Sequence, residues 1–204
     1  MSRTTLTTAL AAAAVAVPLS LGGLAPQAYA QTGSPSPSPT GTATTAPGIF
    51  GPGCSTLPRT GAGSTAVMAR QRLVTAAAGN PQLSTLVGYI NRARIVNVLD
   101  TTNNITLFAP TNAAWNKLSS TQRANLLNNP TQLKKVLNYH VVNQHITKAE
   151  LPGGSFTTRE GSKLTTSGSG TTFKVNNTAD IVCGNIPTAN ATVYLVDSVL
   201  MPPS

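Results

Sequence analysis

Charged residues are scarce in this chain of 204 residues and make up 9% of it, whereas globular proteins carry about 25%. Acidic residues are the scarcer sign, because aspartate and glutamate number 5 against 14 lysines and arginines, which leaves a formal net charge of +9. This low charge excludes a histone-like tail and a highly charged disordered chain. Aromatic residues reach only 4%, so we expect a core made mostly of aliphatic side chains.

The sequence has no apolar run long enough to cross a membrane. Near the N-terminus, Arg3 is followed by the apolar run Ala9–Val17 and by the small-x-small end Ala28–Ala30, a pattern typical of a signal peptide. A membrane span needs about 20 apolar residues, and Pro18 interrupts this run too early. We predict a signal peptide over residues 1–30, an exported mature protein and no membrane span.

Residues 31–48 contain no large apolar side chain and alternate proline with serine and threonine. Such a segment buries too little surface to offset its ordering entropy. We therefore predict a disordered Ser/Pro/Thr-rich stalk over residues 31–50, whose composition also suits O-glycosylation, and a single folded domain over residues 51–204.

Cysteine is limited to Cys54 and Cys183. In an exported chain an even pair favours a disulfide. For a loop this long, chain entropy gives roughly 5 kcal/mol as an upper guide to the stabilisation. A zinc site is the alternative, although two cysteines and two distant histidines lack the usual ligand spacing.

Helix signals crowd the first half of the domain. Thr65–Ala78 is rich in alanine, and Asn80–Pro81 offers a cap and a first helical proline for a second helix. Ser119 and Gln122 resemble a capping box, and Asn129–Pro130 begins a further helix.

Short β-forming segments, separated by glycine, proline and asparagine, fill the second half. One earlier run, Ile105–Ala109, also reads as a strand and is closed by Pro110. This segregation favours an α+β domain over alternating βαβ units. The later predicted strands are Tyr139–Val142, Ser155–Thr158, Lys163–Thr166, Thr171–Val175, Ala179–Cys183 and Thr192–Leu200.

Three segments carry a family resemblance: TLFAPTNAAW at Thr106–Trp115, VLNYHVV at Val136–Val142 and ATVYLVDSVLMPP at Ala191–Pro203. In order and spacing they resemble the two homology boxes and the central Tyr-His motif of the fasciclin-like domain family. The flanking GPGC at Gly51–Cys54 and VCG at Val182–Gly184 resemble the small secreted actinobacterial fasciclin antigens, single-domain proteins with one bridging disulfide. The resemblance implies an α+β fold, a compact β-sandwich or wedge with helices packed along one side.

The resemblance also implies a non-enzymatic module for cell adhesion or matrix contact, secreted or at the cell surface. Its partner would be an extracellular or host surface protein. The family associates the Tyr-His motif, here Tyr139 and His140, with fold stability and, in some members, with adhesion. We expect His140 to be hydrogen-bonded inside the fold and Tyr139 to pack in the core. A receptor contact through this pair is the alternative.

Catalytic motifs are missing from the sequence, which has no G-x-S-x-G, no H-E-x-x-H and no P-loop. We expect no catalytic, cofactor-binding or metal-binding residues. Thr111 and Asn112 suit a helix cap, Asp197 suits a hydrogen-bonded structural acid, and Trp115 suits a core or rim position. Three N-x-[ST] motifs begin at Asn104, Asn176 and Asn190, and we expect them to be unmodified.

Positive charge is concentrated in the helical half. Nine cations lie between Arg59 and Lys135 against one acid, Asp100, whereas four cations meet four acids from Val136 onward. This bias indicates either ordinary solubility or a basic face for an anionic cell-wall polymer or glycan. We expect a monomer that does not bind nucleic acid. The predicted basic face comprises Arg70, Arg72, Arg92, Arg94, Arg123, Lys134 and Lys135.

Overall fold

The computed structural model describes residues 48–203. The predicted signal peptide and nearly all of the predicted stalk lie outside this range. Phe50, which the sequence pattern places at the end of the stalk, is buried and pairs with Gly184 through two backbone hydrogen bonds of 3.2 and 2.7 Å. The stalk boundary at residue 50 is therefore wrong, because the Phe50 ring packs against Phe173 and Tyr194.

Helices dominate the described chain up to Tyr139, as predicted. Three of them begin where the capping signals lie: Asn80, Ser119 and Asn129 each accept a backbone N–H through the side chain, and Ser119 forms the full capping box with Gln122. Short 3₁₀ helices cover Pro52–Thr56, Pro81–Leu83 and Lys148–Glu150. The α-helices are α1 Thr65–Met68, α2 Leu73–Gly79, α3 Ser84–Arg92, α4 Val96–Thr101, α5 Asn112–Asn116, α6 Ser120–Asn128 and α7 Pro130–Tyr139.

Seven strands form one mixed sheet in the order β2-β1-β7-β6-β5-β4-β3. The central pair β1–β7 is parallel, with Leu107 opposite Val193, and the other pairs are antiparallel. A bridge between Val142 and Thr158 brings the two edges together, so the sheet curls into a near-barrel. The strands are β1 Ile105–Pro110, β2 Val141–Val142, β3 Ser155–Thr157, β4 Lys163–Ser169, β5 Thr172–Val175, β6 Ala179–Pro187 and β7 Ala191–Val196.

The core has two parts because successive side chains of a strand point to opposite faces. Leu107 of β1 and Val193 of β7 pack against the helices, whereas Phe108 and Tyr194, one position later, fill the interior of the near-barrel. Every residue of β1 and β7 is buried. The α+β class is confirmed, with a single curled sheet and helices on one side of it.

One helix predicted over Thr65–Ala78 is wrong, because the chain forms α1 and α2 with Arg72 in an extended conformation before α2. The start of α2 is bonded by a distant loop. The Asn190 side chain, in the β6–β7 loop, accepts the Leu73 N–H at 2.9 Å and so caps α2 from 117 residues away.

Several strand boundaries also differ from the prediction, since β4 extends to Ser169 and β6 to Pro187. Tyr139 ends α7 and β2 covers only Val141–Val142, so Tyr139 and His140 are not in a strand. The last strand ends at Val196 rather than Leu200, since the Leu200 N–H donates to His140 Nε2 instead of to a neighbouring strand. Helix α4 has no counterpart among the predicted elements.

Candidate functional site

The predicted disulfide between Cys54 and Cys183 is present, with Cα atoms 4.8 Å apart and a sequence separation of 129. It fastens the 3₁₀ turn Pro52–Thr56 to β6. Gly51 makes this approach possible, since its φ is 115° and a Cβ there would lie 2.5 Å from the Val182 carbonyl oxygen. The glycines of the GPGC segment therefore serve close backbone packing.

Tyr139 and His140 are both buried, at 3% and 0% exposure. The His140 Nδ1 lies 2.8 Å from the Val136 carbonyl oxygen, and Nε2 accepts the Leu200 N–H at 3.0 Å. The ring is thus neutral, with its proton on Nδ1. Burial lowers the pKa of His140 to about 4, although the bond to Val136 acts in the opposite direction.

The Tyr139 hydroxyl donates to the Lys163 carbonyl oxygen at 3.1 Å and accepts from Asn176 Nδ2 at 2.8 Å. It ties the end of α7 to β4 and to the loop after β5. Both side chains of the Tyr-His motif are buried in this conformation, and their polar atoms are hydrogen-bonded within the fold.

Thr111 caps α5 as predicted, since its Oγ1 accepts the Ala114 N–H at 3.3 Å. Asn112 has a different role. Its Oδ1 accepts the Thr85 N–H at 3.0 Å and its Nδ2 donates to the Pro81 carbonyl oxygen at 2.9 Å. This side chain therefore joins α5 to the start of α3, a contact between distant residues that the local sequence does not reveal.

Asp197 lies where β7 ends and is bonded on both carboxylate oxygens. Oδ1 accepts the Asp180 N–H at 2.8 Å, and Oδ2 lies 2.7 Å from the Lys117 Nζ. Partial burial alone would raise the pKa of Asp197, but bonds from Lys117, Asp180 and Ser198 outweigh it and hold the pKa below the usual range. Asp197 is a structural acid in this arrangement.

The seven residues of the predicted basic face divide into two groups. Four are bonded within the domain. Arg72 contacts the Asp100 carbonyl, Arg92 donates through Nε and Nη2 to the Leu127 carbonyl, Arg123 contacts Asn116, and Lys135 pairs with Glu160 at 3.6 Å. Within residues 48–203, the side chains of the other three have no hydrogen bond or ion pair: Arg70, Arg94 and Lys134.

A shallow cleft of about 470 Å³ opens at the end of the sheet where β1 and β7 begin. Its walls come from three separate stretches of chain: Asn103–Asn104 before β1, His145 after β2, and Pro187–Thr192 in the β6–β7 hairpin. The His145 Nδ1 lies 2.7 Å from the Thr192 Oγ1. Sequence reasoning missed this cleft, because only the fold brings these loops together.

A family model described as the fasciclin domain matches residues 81–202. The chain belongs to the fasciclin domain family. Immunogenic protein MPB70 of Mycobacterium bovis is 42% identical over 165 residues, covering 76% of this chain and 83% of the relative. Cell surface glycolipoprotein MPB83 of the same species is 41% identical over 171 residues, covering 79% of this chain and 76% of the relative.

The fold of this fasciclin domain also matches a solved structure, a FAS1 domain pair from the insect cell adhesion molecule fasciclin I. The TM-score is 0.54 at 14% identity, and the match covers 67% of this chain and 52% of that chain. The chain thus spans about half the length of the insect pair, and the likeness establishes the fold. With its antigen relatives, the fasciclin domain places this protein outside the cell, secreted or at the cell surface.

Two of the three N-x-[ST] asparagines of this fasciclin domain have structural roles. Asn190 is buried and donates to the carbonyl oxygens of Leu99 and Thr102. Asn176 accepts the Thr165 N–H and donates to Tyr139. The side chain of Asn104 is exposed at the cleft.

Metal-ligand side chains are dispersed in this fasciclin domain. Among the residues described, no three or more His, Cys, Asp or Glu side chains are placed to hold a metal ion. In the same range, no helix has the length and apolar character needed to cross a membrane.

Proposed function

We propose that this protein is an extracellular interaction module that binds a surface or matrix protein and does not catalyse a reaction. The observation that carries the proposal is the 41% identity to a cell surface glycolipoprotein over 79% of the chain. The burial of Tyr139 and His140 adds to it, because the contact surface must then lie elsewhere on the exterior.

A pull-down of the mature protein against host matrix proteins and intact cell walls tests this proposal. At about 0.15 M salt the Debye length is about 8 Å, and exposed charges farther apart are largely screened. Contact through apolar and hydrogen-bonded surface will therefore persist from about 0.02 M to about 0.15 M salt. Absence of retention on every matrix protein, at either salt concentration, contradicts protein contact.

A second candidate function is binding of an anionic cell-wall polymer, and the charge arrangement favours it. All five acidic side chains accept hydrogen bonds inside the domain, while Arg70, Arg94 and Lys134 have no bonding partner within the described range. An anionic partner would then meet exposed cations without competition from unbonded carboxylates. The five bonded acids are Asp100, Glu150, Glu160, Asp180 and Asp197.

Paired substitutions test the second candidate. The double variant Arg94→Gln/Lys134→Gln removes two charges from the helical half, and Lys163→Gln/Lys174→Gln removes the same charge from the strands. Retention on isolated cell walls at low salt should fall for the first variant and hold for the second. Equal retention of both variants contradicts a polymer site among the helices.

A further inference from the structure

We propose that the cleft at the start of β1 and β7 binds an acidic saccharide unit, one that carries a carboxylate or phosphate on a polyhydroxylated ring. This inference adds to the second candidate function and rests on it, because it names a place for one repeating unit of an anionic wall polymer, apart from the exposed cations Arg70, Arg94 and Lys134. Its volume of about 470 Å³ lies within the range of about 300–1,000 Å³ typical of small-molecule sites.

The lining of the cleft favours a polyol over an apolar ligand. Asn104 is exposed and its carboxamide makes no hydrogen bond within residues 48–203, so it offers both a donor and an acceptor. His145 uses Nδ1 on Thr192, and its Nε2 has no partner in the same range. These groups match the hydroxyls of a sugar ring, each of which both donates and accepts.

The backbone of Asn104 holds its carboxamide at this position. Its φ is 56°, in the left-handed region that asparagine and glycine tolerate better than other residues. Behind it, the buried Thr106 hydroxyl donates to the Gln144 carbonyl oxygen at 2.8 Å and accepts the Ile146 N–H at 2.9 Å. The wall carrying Asn104 is thus bonded to the wall carrying His145.

Two guanidinium groups lie beside the lining of the cleft and would attract an anion to it. Arg72 Nη1 lies 3.5 Å from the Oδ1 of Asn103, a lining residue, and Arg159 Nη1 lies 3.4 Å from the Oγ1 of Thr102 beside it. In both arginines Nε and Nη2 have no partner within the described residues. The paired Nε and Nη2 donors of an arginine can bind the two oxygens of one carboxylate or phosphate.

Within the described residues, the acids near the cleft form no ion pair with these arginines. The Asp100 Oδ1 accepts the Val74 N–H at 2.8 Å. Glu150 accepts from the backbone and hydroxyl of Thr147, both at 2.7 Å, and these bonds are the main reason that its pKa is lowered, with a smaller effect from His145. One oxygen of each carboxylate is thus bonded inside the fold.

An NMR titration of the ¹⁵N-labelled mature protein tests the inference, with tetragalacturonate as the acidic probe and maltotetraose as the neutral probe of equal length. We expect amide shifts at Asn104, His145, Ala189 and Thr192, with the acidic probe bound about tenfold more tightly, as a hydrogen-bonded charge pair implies. Shifts absent from these four residues with the acidic probe overturn the inference.

Two variants locate the binding. Arg72→Gln should weaken tetragalacturonate about tenfold, while Arg70→Gln, with the same charge change two residues away, should leave it nearly unchanged. Asn104→Gly keeps the left-handed backbone, removes the carboxamide and should also weaken binding. If Arg94→Gln/Lys134→Gln weakens tetragalacturonate binding while Arg72→Gln and Asn104→Gly do not, the cleft is not the binding site. The proposed polymer-binding function would still hold in that case.

Discussion

The two sides of the β1–β7 pair are packed by different kinds of side chain. The side facing the helices is mostly aliphatic, with leucine, isoleucine, valine and alanine around Trp115 and the partly buried Tyr89, whose ring meets Trp115 edge to face. The interior of the near-barrel holds all four phenylalanines together with Tyr139 and Tyr194. The expectation of a mostly aliphatic core therefore describes the helix side only.

Geometry accounts for the difference. A curled sheet leaves an enclosed space between its own strands, which large rings fill with few side chains. Phe108 stacks on Tyr194 at 5.5 Å, and Phe50 meets Phe173 edge to face at 5.4 Å. On the other face, helices of four to ten residues pack mainly leucine, isoleucine, valine and alanine side chains against the sheet. A low overall aromatic content thus conceals a locally aromatic interior.

Phe108→Ala should be the most damaging single change, because it removes a fully buried ring from the interior. We expect a loss of about 3–5 kcal/mol in the free energy of unfolding, measured by urea titration with Trp115 fluorescence. Trp115 lies on the helix side, whereas Phe108 lies in the interior. A lower urea midpoint of the Trp115 fluorescence in Phe108→Ala therefore means that both sides unfold together. Val98→Ala, at an exposed position, is the control, and a Phe108→Ala curve matching it would show two independent units.

Loss of the disulfide should cost about 2–5 kcal/mol. Cys183 faces the helix side, whereas Phe50, four residues before Cys54, packs in the interior, so the bond secures a segment that contacts both parts. Cys54→Ala/Cys183→Ala should lower the urea midpoint and the Tm. An unchanged midpoint under the same conditions would mean that Phe50 and the Gly184 pairing hold this segment unaided.

Acid should weaken the interior through His140. Its pKa is about 4 in the folded state against 6.5 ordinarily, so the unfolded chain binds more protons between these values. Stability is then complete above pH 6.5 and falls as the pH drops to 4, by up to about 1.4 kcal/mol per pH unit and about 3 kcal/mol in total.

His140→Gln should flatten this pH dependence, whereas exposed His145→Gln should retain it. Urea midpoints between pH 4 and pH 7 give the measurement. The lowered pKa values of Glu150, Glu160 and Asp197 act at lower pH. Equal slopes in the wild type and His140→Gln would show that His140 is not the titrating group.

Asn112→Ala should cost about 1 kcal/mol, the smallest of these effects, and should act on the helix side alone. It removes the cap on the N-terminus of α3 and the bond to Pro81. Asn91→Ala, at an exposed position in α3, is the matched control and should change the Tm little. Equal Tm values for the two variants would mean that the Asn112 bonds add no net stability.

Local signals were sufficient for the elements that depend on local bonds. Asn80, Ser119 and Asn129 begin helices because each side chain bonds the backbone two or three residues later. Elements that depend on distant bonds could not be predicted this way. For example, Asn190 of the β6–β7 loop accepts the Leu73 N–H, and the stretch predicted as one helix over Thr65–Ala78 forms α1 and α2.

The candidate sites divide in the same manner. The disulfide follows from an even cysteine pair in an exported chain, whereas the cleft needs three loops brought together by the curled sheet. The predicted basic face groups cations by sequence alone. In the structure, Arg92 is bonded to Leu127 and Lys135 to Glu160. The side chains of Arg94 and Lys134, from the same helical half, have no partner in the described residues.

The central claim is that Tyr139 and His140 stabilise the interior while binding lies at the exterior. Melting and matrix or cell-wall binding of His140→Ala, with binding measured well below its Tm, test this claim most directly. We predict a lowered Tm with binding retained. An unchanged Tm together with lost binding would contradict it.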